Sequence, residues 1–375
     1  MAKEDKEQPQ SDEFDALKIA DAEESATEVS KCPSCGANLT YSPAEKCLKC
    51  DYCGYKSKVD LTQYAEEIDF AQLLRADNTW GDETRVFVCN NCGAKQILSK
   101  RDLAPKCAFC GTSNIVESED ICGVKPNAVI PFAFGKEQAC GLIAKWAKKK
   151  IFSPRKFKQS VYPEEIAGNY FPAFTFDSKT TTGYSGVLGK YYYTTHRDSK
   201  GRTYTTRHTR WFRIGGTYDR FFDDVFVKAT GENESKMLKK IEPFNTSAPQ
   251  NYRTDFLHGF SASQYERDGQ ECWKEARRRM ENQIHNEILS KYHYDVVQSL
   301  NTRTRCFDMT YKYMLLPVYV GHYGYNKKMY NFFVNGQNGK IKGKTPKSPL
   351  RIGIAVLIGL AIAAGIAVLA VFALT

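Results

Sequence analysis

The sequence predicts an α+β fold with two N-terminal four-cysteine zinc ribbons, a mixed domain of antiparallel sheet and helices, and one C-terminal transmembrane helix. Three observations predict it. Four cysteines recur at one spacing in two places, aromatic and threonine-rich segments separated by turn residues fill the middle of the chain, and 23 residues without a charge run from Ile352 to Leu374.

The ribbons come first. Cys32, Cys35, Cys50 and Cys53 stand as C-x2-C-x14-C-x2-C, and Cys89, Cys92, Cys107 and Cys110 repeat every position 57 residues later. This is close to the spacing of a four-thiolate zinc site, in which each C-x2-C pair sits on one tight turn. Gly36, Gly54, Gly93 and Gly111 follow the second cysteine of each pair, where a positive φ lets backbone amides face the sulfurs. Tetrahedral thiolate sets accept iron as well. Closed four-cysteine sites are by habit zinc sites, so the expected cofactor is Zn2+, two per chain. A closed site has no open coordination position, so its expected role is to fold the chain and not to activate water. A disulfide framework needs an oxidising compartment, and no apolar signal-like stretch precedes the ribbons. Cys47 has Ala104 at its counterpart position and is left out of the ligands. Cys122, Cys140, Cys272 and Cys306 have no partner at metal spacing and read as small buried residues.

Charge divides the chain further. Residues 1–31 hold ten acidic and four basic side chains with few large apolar ones, which reads as a solvated acidic arm. The formal +10 of the whole chain leaves +16 for residues 32–375. A zinc ion held by four thiolates carries a net −2, so two occupied sites bring the chain to about +6. Counted the same way, the stretch Cys32–Gly54 of the first ribbon (32–58) lies near −2 and Cys89–Gly111 of the second (86–118) near +1. Phosphate binding draws its affinity from several neutralised charges, which neither ribbon supplies.

Between the ribbons, residues 59–85 read as a helical connector, with Leu61, Tyr64, Ile68 and Leu74 as its apolar positions. Residues 119–343 read as the α+β domain. A helix from near Gly135 to about Lys150 carries Ala139, Leu142, Ile143 and Trp146 on one side and ends in a basic run from Lys145 to Lys158. Segments NYFPAFTFD, GKYYYTTHRD, RTYTTRHTRWFRI and DDVFVKA read as antiparallel strands, with turns at Asp198–Gly201 and Gly215–Gly216. Ser263 and Glu266 form a capping-box pattern ahead of a long helix with Trp273, Ala276, Met280, Ile284 and Ile288 as its stripe. Strands return at Met309–Gly321 and Met329–Gly343, with Asn335–Gly336 as a turn.

The apolar run at 352–374 is about 34 Å long as a helix, enough for a bilayer core. The linker 344–351 and the residues just before it carry Lys340, Lys342, Lys344, Lys347 and Arg351 with no acidic residue, so the positive-inside rule places the N-terminal bulk in the cytoplasm. The expectation is a single-pass, tail-anchored protein of the cell membrane.

No catalytic or cofactor-binding motif emerges. NGKIKGKT lacks the first glycine of a phosphate loop, and the six histidines are scattered. The ribbon pair, VIPFAFGKEQACGLIAKWAKKKIFSPRKFK from Val129, NYFPAFTFD, KKIEPFNTSA, FLHGFSASQYERD, YMLLPVYV and NGQNGKIKG together resemble a bacterial family of transcription-factor-IIB-type zinc-ribbon proteins ending in a membrane segment. Members are sometimes labelled primosomal-helicase-like or phage-replisome-organiser-like, and some resemble partners of flotillin-like membrane scaffolds. With the low charge of the ribbons, the apolar run and the lack of a catalytic motif, the expectation is a non-enzymatic, membrane-anchored zinc-ribbon adaptor that docks a protein partner at the lipid bilayer. The alternative is a zinc-ribbon protein that binds nucleic acid near the membrane.

Overall fold

The computed structural model describes residues 31–75, 84–90, 95–99, 107, 115–118, 124–155, 157, 166–325 and 328–374. Cys92, Cys110, Cys122, Lys156, Lys158 and nearly all of the acidic arm lie outside the described residues. The segment expected as the first ribbon supplies β1 (Leu39–Ser42), β2 (Cys47–Cys50) and β3 (Lys56–Lys58), followed by β4 (Ile68–Asp69) and α1 (Phe70–Arg75). The segment expected as the second contributes β5 (Thr84–Cys89), β6 (Lys95–Ser99) and β7 (Ile115–Ser118). Then come β8 (Ala128–Val129), α2 (Lys136–Lys148), β9 (Ile166–Arg197), β10 (Thr203–Lys228), α3 (Glu232–Ile241), β11 (Gln250–Asn251) and β12 (Ser261–Ser263). The chain ends in α4 (Gly269–Ser290), β13 (Val296–Tyr325), β14 (Lys328–Asn335), β15 (Ile341–Gly343) and α5 (Pro349–Leu374).

Three long strands organise everything else. β9 lies between β10, paired from Arg197↔Thr203 to Ala173↔Lys228, and β13, paired from Gly189↔Val296 to Ile166↔Gly321, both antiparallel. Side chains alternate across a strand, so Phe174, Phe176, Tyr184 and Leu188 share one face of β9. That face meets the helical stripe of α4, where Ala276, Met280, Ile284 and Ile288 are buried together with Phe174 and Phe176. The five larger of these, Phe174, Phe176, Met280, Ile284 and Ile288, at about 1.5–3 kcal/mol each for full burial, make this seam a main source of the domain's stability. The proline-containing segments NYFPAFTFD and YMLLPVYV are antiparallel neighbours, with Pro317 opposite Tyr170 and Leu315 opposite Pro172.

Three local expectations fail for tertiary reasons. Gly215–Gly216 is not a turn: both residues continue β10 opposite Ser185 and Tyr184, and a Cβ on Gly216 would stand 3.1 Å from the Tyr184 hydroxyl. The glycine makes room for a tyrosine ring. The long helix is capped by Asp268, whose carboxylate accepts from the Glu271 amide at 2.7 Å, while Ser263 lies in β12. Of the connector, only Phe70–Arg75 is helical among the described residues. Its earlier part runs extended, because the Ala65 amide donates to the Pro249 carbonyl at 2.9 Å and the Asn251 amide to the Gln63 carbonyl at 2.9 Å.

The segment around the first four cysteines forms its own three-stranded sheet, and β6 joins the large sheet through β12. At the other end, α5 holds an 18-residue window of mean hydropathy 2.1 from Pro349 to Ile366, none of it buried. It is long and apolar enough to cross a membrane. Its base is tied to the loop after α2: the Ser348 amide donates to the Phe152 carbonyl at 2.8 Å, and Arg351 Nη1 donates to the Ile151 carbonyl at 3.0 Å.

Candidate metal centre

Local geometry brings the first four cysteines together. Cys32 and Cys35 flank a turn in which the Gly36 amide donates to the Cys32 carbonyl at 2.8 Å, with Gly36 at φ +72°. Cys50 ends β2, and the Gly54 amide donates to its carbonyl at 3.0 Å, with Gly54 at φ +76°. A β-carbon at either φ is strained, so glycine at both positions follows from the turn. The two turns are held face to face by the β1–β2 ladder, in which Leu39 stands opposite Cys50.

The result is a compact all-sulfur set. Cys32 Sγ lies 3.2 Å from Cys53 Sγ and Cys35 Sγ lies 3.5 Å from Cys50 Sγ, with all four sulfurs within 4.8 Å of one another. Tetrahedral zinc with Zn–S bonds of about 2.3 Å separates its sulfurs by about 3.8 Å, so the donor set fits one ion. Electrostatics point the same way. Burial raises the Cys32 thiol, yet hydrogen bonds from Cys53 and the Ser34 and Cys35 amides outweigh it and bring the group down to about 6, while Cys53 is pushed up to about 12. Four neighbouring thiolates repel one another, and a cation at their centre removes the conflict. Cys47, excluded on sequence, sits outside the set with its thiol 3.7 Å from Glu45 Oε2.

Of the second set, Cys89 and Cys107 are both buried, and Gln96 Nε2 lies 3.7 Å from Cys107 Sγ. Cys92 and Cys110 fall outside the described residues, so the geometry of a second centre rests on the sequence repeat. No disulfide links the described cysteines.

A second group of acids was not anticipated. Glu67, Asp177 and Asp223 also bring carboxylate oxygens within 4.8 Å of one another. Both strands flanking β9 bulge at the level of Asp177, at Phe222/Val225 and at Phe307/Thr310. Asp177 accepts from the Asp224 amide and from Thr310 Oγ1, the latter at 3.2 Å. Lys312, only 6% exposed, already supplies a cation, 3.1 Å from Glu67 Oε1 and 2.9 Å from Asp224 Oδ1. The group is therefore a charged seam closed by a lysine. Its sequence signal was Asp223–Asp224 inside a strand, a place where acids are rare.

No family model matches the chain, and no solved structure matches it. It is similar to the uncharacterized protein YdjG of Bacillus subtilis (strain 168), at 26% identity over 319 residues that span 85% of this chain and 90% of that one.

Proposed function

We propose that this protein is a membrane-anchored, cytoplasm-facing adaptor whose zinc-bearing ribbons and sheet domain dock a protein partner at the bilayer. The observation that carries the reading is the tie between the base of α5 and the loop after α2. It sets Lys145, Lys148, Lys149 and Lys150 beside the helix that enters the lipid, together with Ile151 and Phe152, which are 73% and 45% exposed. Exposed apolar side chains flanked by lysines suit a membrane interface. Each basic residue near an anionic surface adds about 1 kcal/mol, so the α2 run and the linker run act together. The basic run on α2 is accounted for by lipid headgroups in this reading.

The body is then seated on the bilayer and not on a long leash, which restricts its partner to other membrane-associated proteins. The family resemblance supports a flotillin-like membrane scaffold as that partner, and the zinc ions fix the ribbons' shape without doing chemistry. The test is crosslinking of the full chain in intact cells, followed by carbonate extraction and identification of captured material. A reproducible membrane-protein partner that is lost when α5 is deleted is the expected result. Release of the chain by carbonate would refute the anchor.

A further inference from the structure

The face of the long strands opposite α4 changes character along its length. From Phe171 to Asp177 the odd-numbered residues of β9 are buried, but from Lys179 onward this face opens, and no described element packs on it. Register defines what it displays. Trp211 lies opposite Gly189 and Arg207 opposite Tyr193 on the β10 side, while Arg303 and Arg305 stand opposite Gly183 and Thr181 on the β13 side. Phe221 and Phe307 flank Lys179 from the two neighbouring strands.

Two features set this surface apart from an ordinary solvated sheet. Tyr193, Trp211, Phe221 and Phe307 are 64%, 47%, 55% and 45% exposed, large aromatic area that a solvated face does not display in line. Arg197, Arg207, Arg213, Arg303 and Arg305 share the face with two carboxylates, Asp219 and Asp308, the latter held 2.9 Å from Lys179 Nζ, and none of the five arginines forms an ion pair among the described residues. Gly183 has open space where a Cβ would stand. At Gly189 a Cβ would meet the indole of Trp211 at 2.7 Å, so that ring lies across the strand because the position is glycine. Glycine inside a strand marks a place where another group approaches the backbone closely.

We propose that this open face of β9, β10 and β13 binds single-stranded nucleic acid, with bases stacked on Trp211, Tyr193 and the Phe221–Phe307 pair and phosphates held by the unpaired arginines. Aromatic platforms interleaved with basic side chains on an open sheet are the physical requirements for binding unpaired bases. A second copy of the chain is a poor occupant, because it presents the same positive charge. A lipid surface is also a poor occupant, since the face begins 13 residues along β9 from Ile166, the end nearest α5. The inference uses a surface separate from the anchor and the ribbons, and it stands or falls independently of the adaptor reading.

The test is fluorescence anisotropy of a labelled oligouridine with the full chain in detergent micelles, over a range of salt. Saturable binding at low salt is expected. Arg303→Glu with Arg305→Glu should weaken it and lower the slope of log K against log salt by about 1.4. Trp211→Ala with Tyr193→Ala should weaken it by roughly 5- to 150-fold for each base stack lost. Lys148→Glu with Lys149→Glu, on α2, should leave it unchanged. All these side chains are surface-exposed, and matching thermal melts check that each variant folds. Three results overturn the proposal: no binding at low salt, binding lost equally in the α2 variant, or binding insensitive to Trp211 and Tyr193 and matched by an acidic peptide.

Discussion

Replacing Cys50 with serine removes one of the four sulfurs and turns a closed site into an open three-thiolate one. The first ribbon has little else to hold it. Its buried apolar side chains Leu39, Tyr41 and Leu48, with Val59 just after β3, form one cluster with Phe256 and Leu257 of the main domain. At about 1.5–3 kcal/mol each they supply roughly 6–12 kcal/mol. A structural zinc ion contributes about 10–16 kcal/mol at neutral pH, as much as the whole apolar set. Three strands of four, four and three residues cannot bear that loss. Metal analysis should find about one fewer zinc per chain in Cys50→Ser than in the parent. Hydrogen exchange should then show the Gly54 and Tyr41 amides, which donate to the Cys50 and His258 carbonyls at 3.0 Å each, losing protection. Amides in β9 and β13 should keep theirs, because their ladder is independent of the ribbon. Protection at Gly54 and Tyr41 that survives both the substitution and chelation would refute the claim that metal holds this module.

Other perturbations test the rest of the fold. Lys312→Met leaves Glu67, Asp177 and Asp224 facing one another without a cation and should cost about 3–5 kcal/mol in urea unfolding, a loss that Asp177→Asn added to it should partly restore. Burial, with Glu266 nearby, lifts the Glu234 carboxyl from 4.5 to about 7. The folded form therefore holds a proton the unfolded form gives up, and this stability is present below the unfolded value and lost as pH rises through the folded one. Glu234→Gln should match the parent near pH 4 and exceed it near pH 8 by up to about 3 kcal/mol, read from melting curves. Ile284→Ala, at a fully buried position of α4, should cost about 2–5 kcal/mol by the same unfolding assay.

What could be read from the sequence was what is encoded locally. A C-x2-C-G turn needs only its own residues to place two sulfurs, so the spacing of Cys32, Cys35, Cys50 and Cys53 foretold a cluster that the structure contains. The α4 stripe was legible for the same reason, since Ala276, Met280, Ile284 and Ile288 share a face by helical period alone. Misreadings arose where a distant partner decides. Leu61, Tyr64 and Ile68 suggested helix, but a bridge between Tyr64 and Gln250 draws that stretch into an extended path. The lysine-closed seam joins Glu67, Asp177 and Lys312 from three parts of the chain, and no window along the sequence contains them.

The open face shows the same dependence in its strongest form. RTYTTRHTRWFRI mixes basic and aromatic residues, and strand alternation puts Arg207, Trp211 and Arg213 on one side, but nothing in the segment tells which distant side chains join them. Register decides it. Once Trp211 is opposite Gly189 and Arg303 opposite Gly183, arginines more than ninety residues apart in sequence fall on one surface with the aromatic rings. The register also sets where that surface lies. The chain enters α5 from β15, which pairs with β14, which pairs with β13 where β13 meets the start of β9. Some 13 residues of β9 separate that end from Lys179, a strand length of about 43 Å. The proposed lipid contacts of Lys148–Phe152 and the proposed ligand contacts of this face therefore use different side chains, at different ends of the long strands.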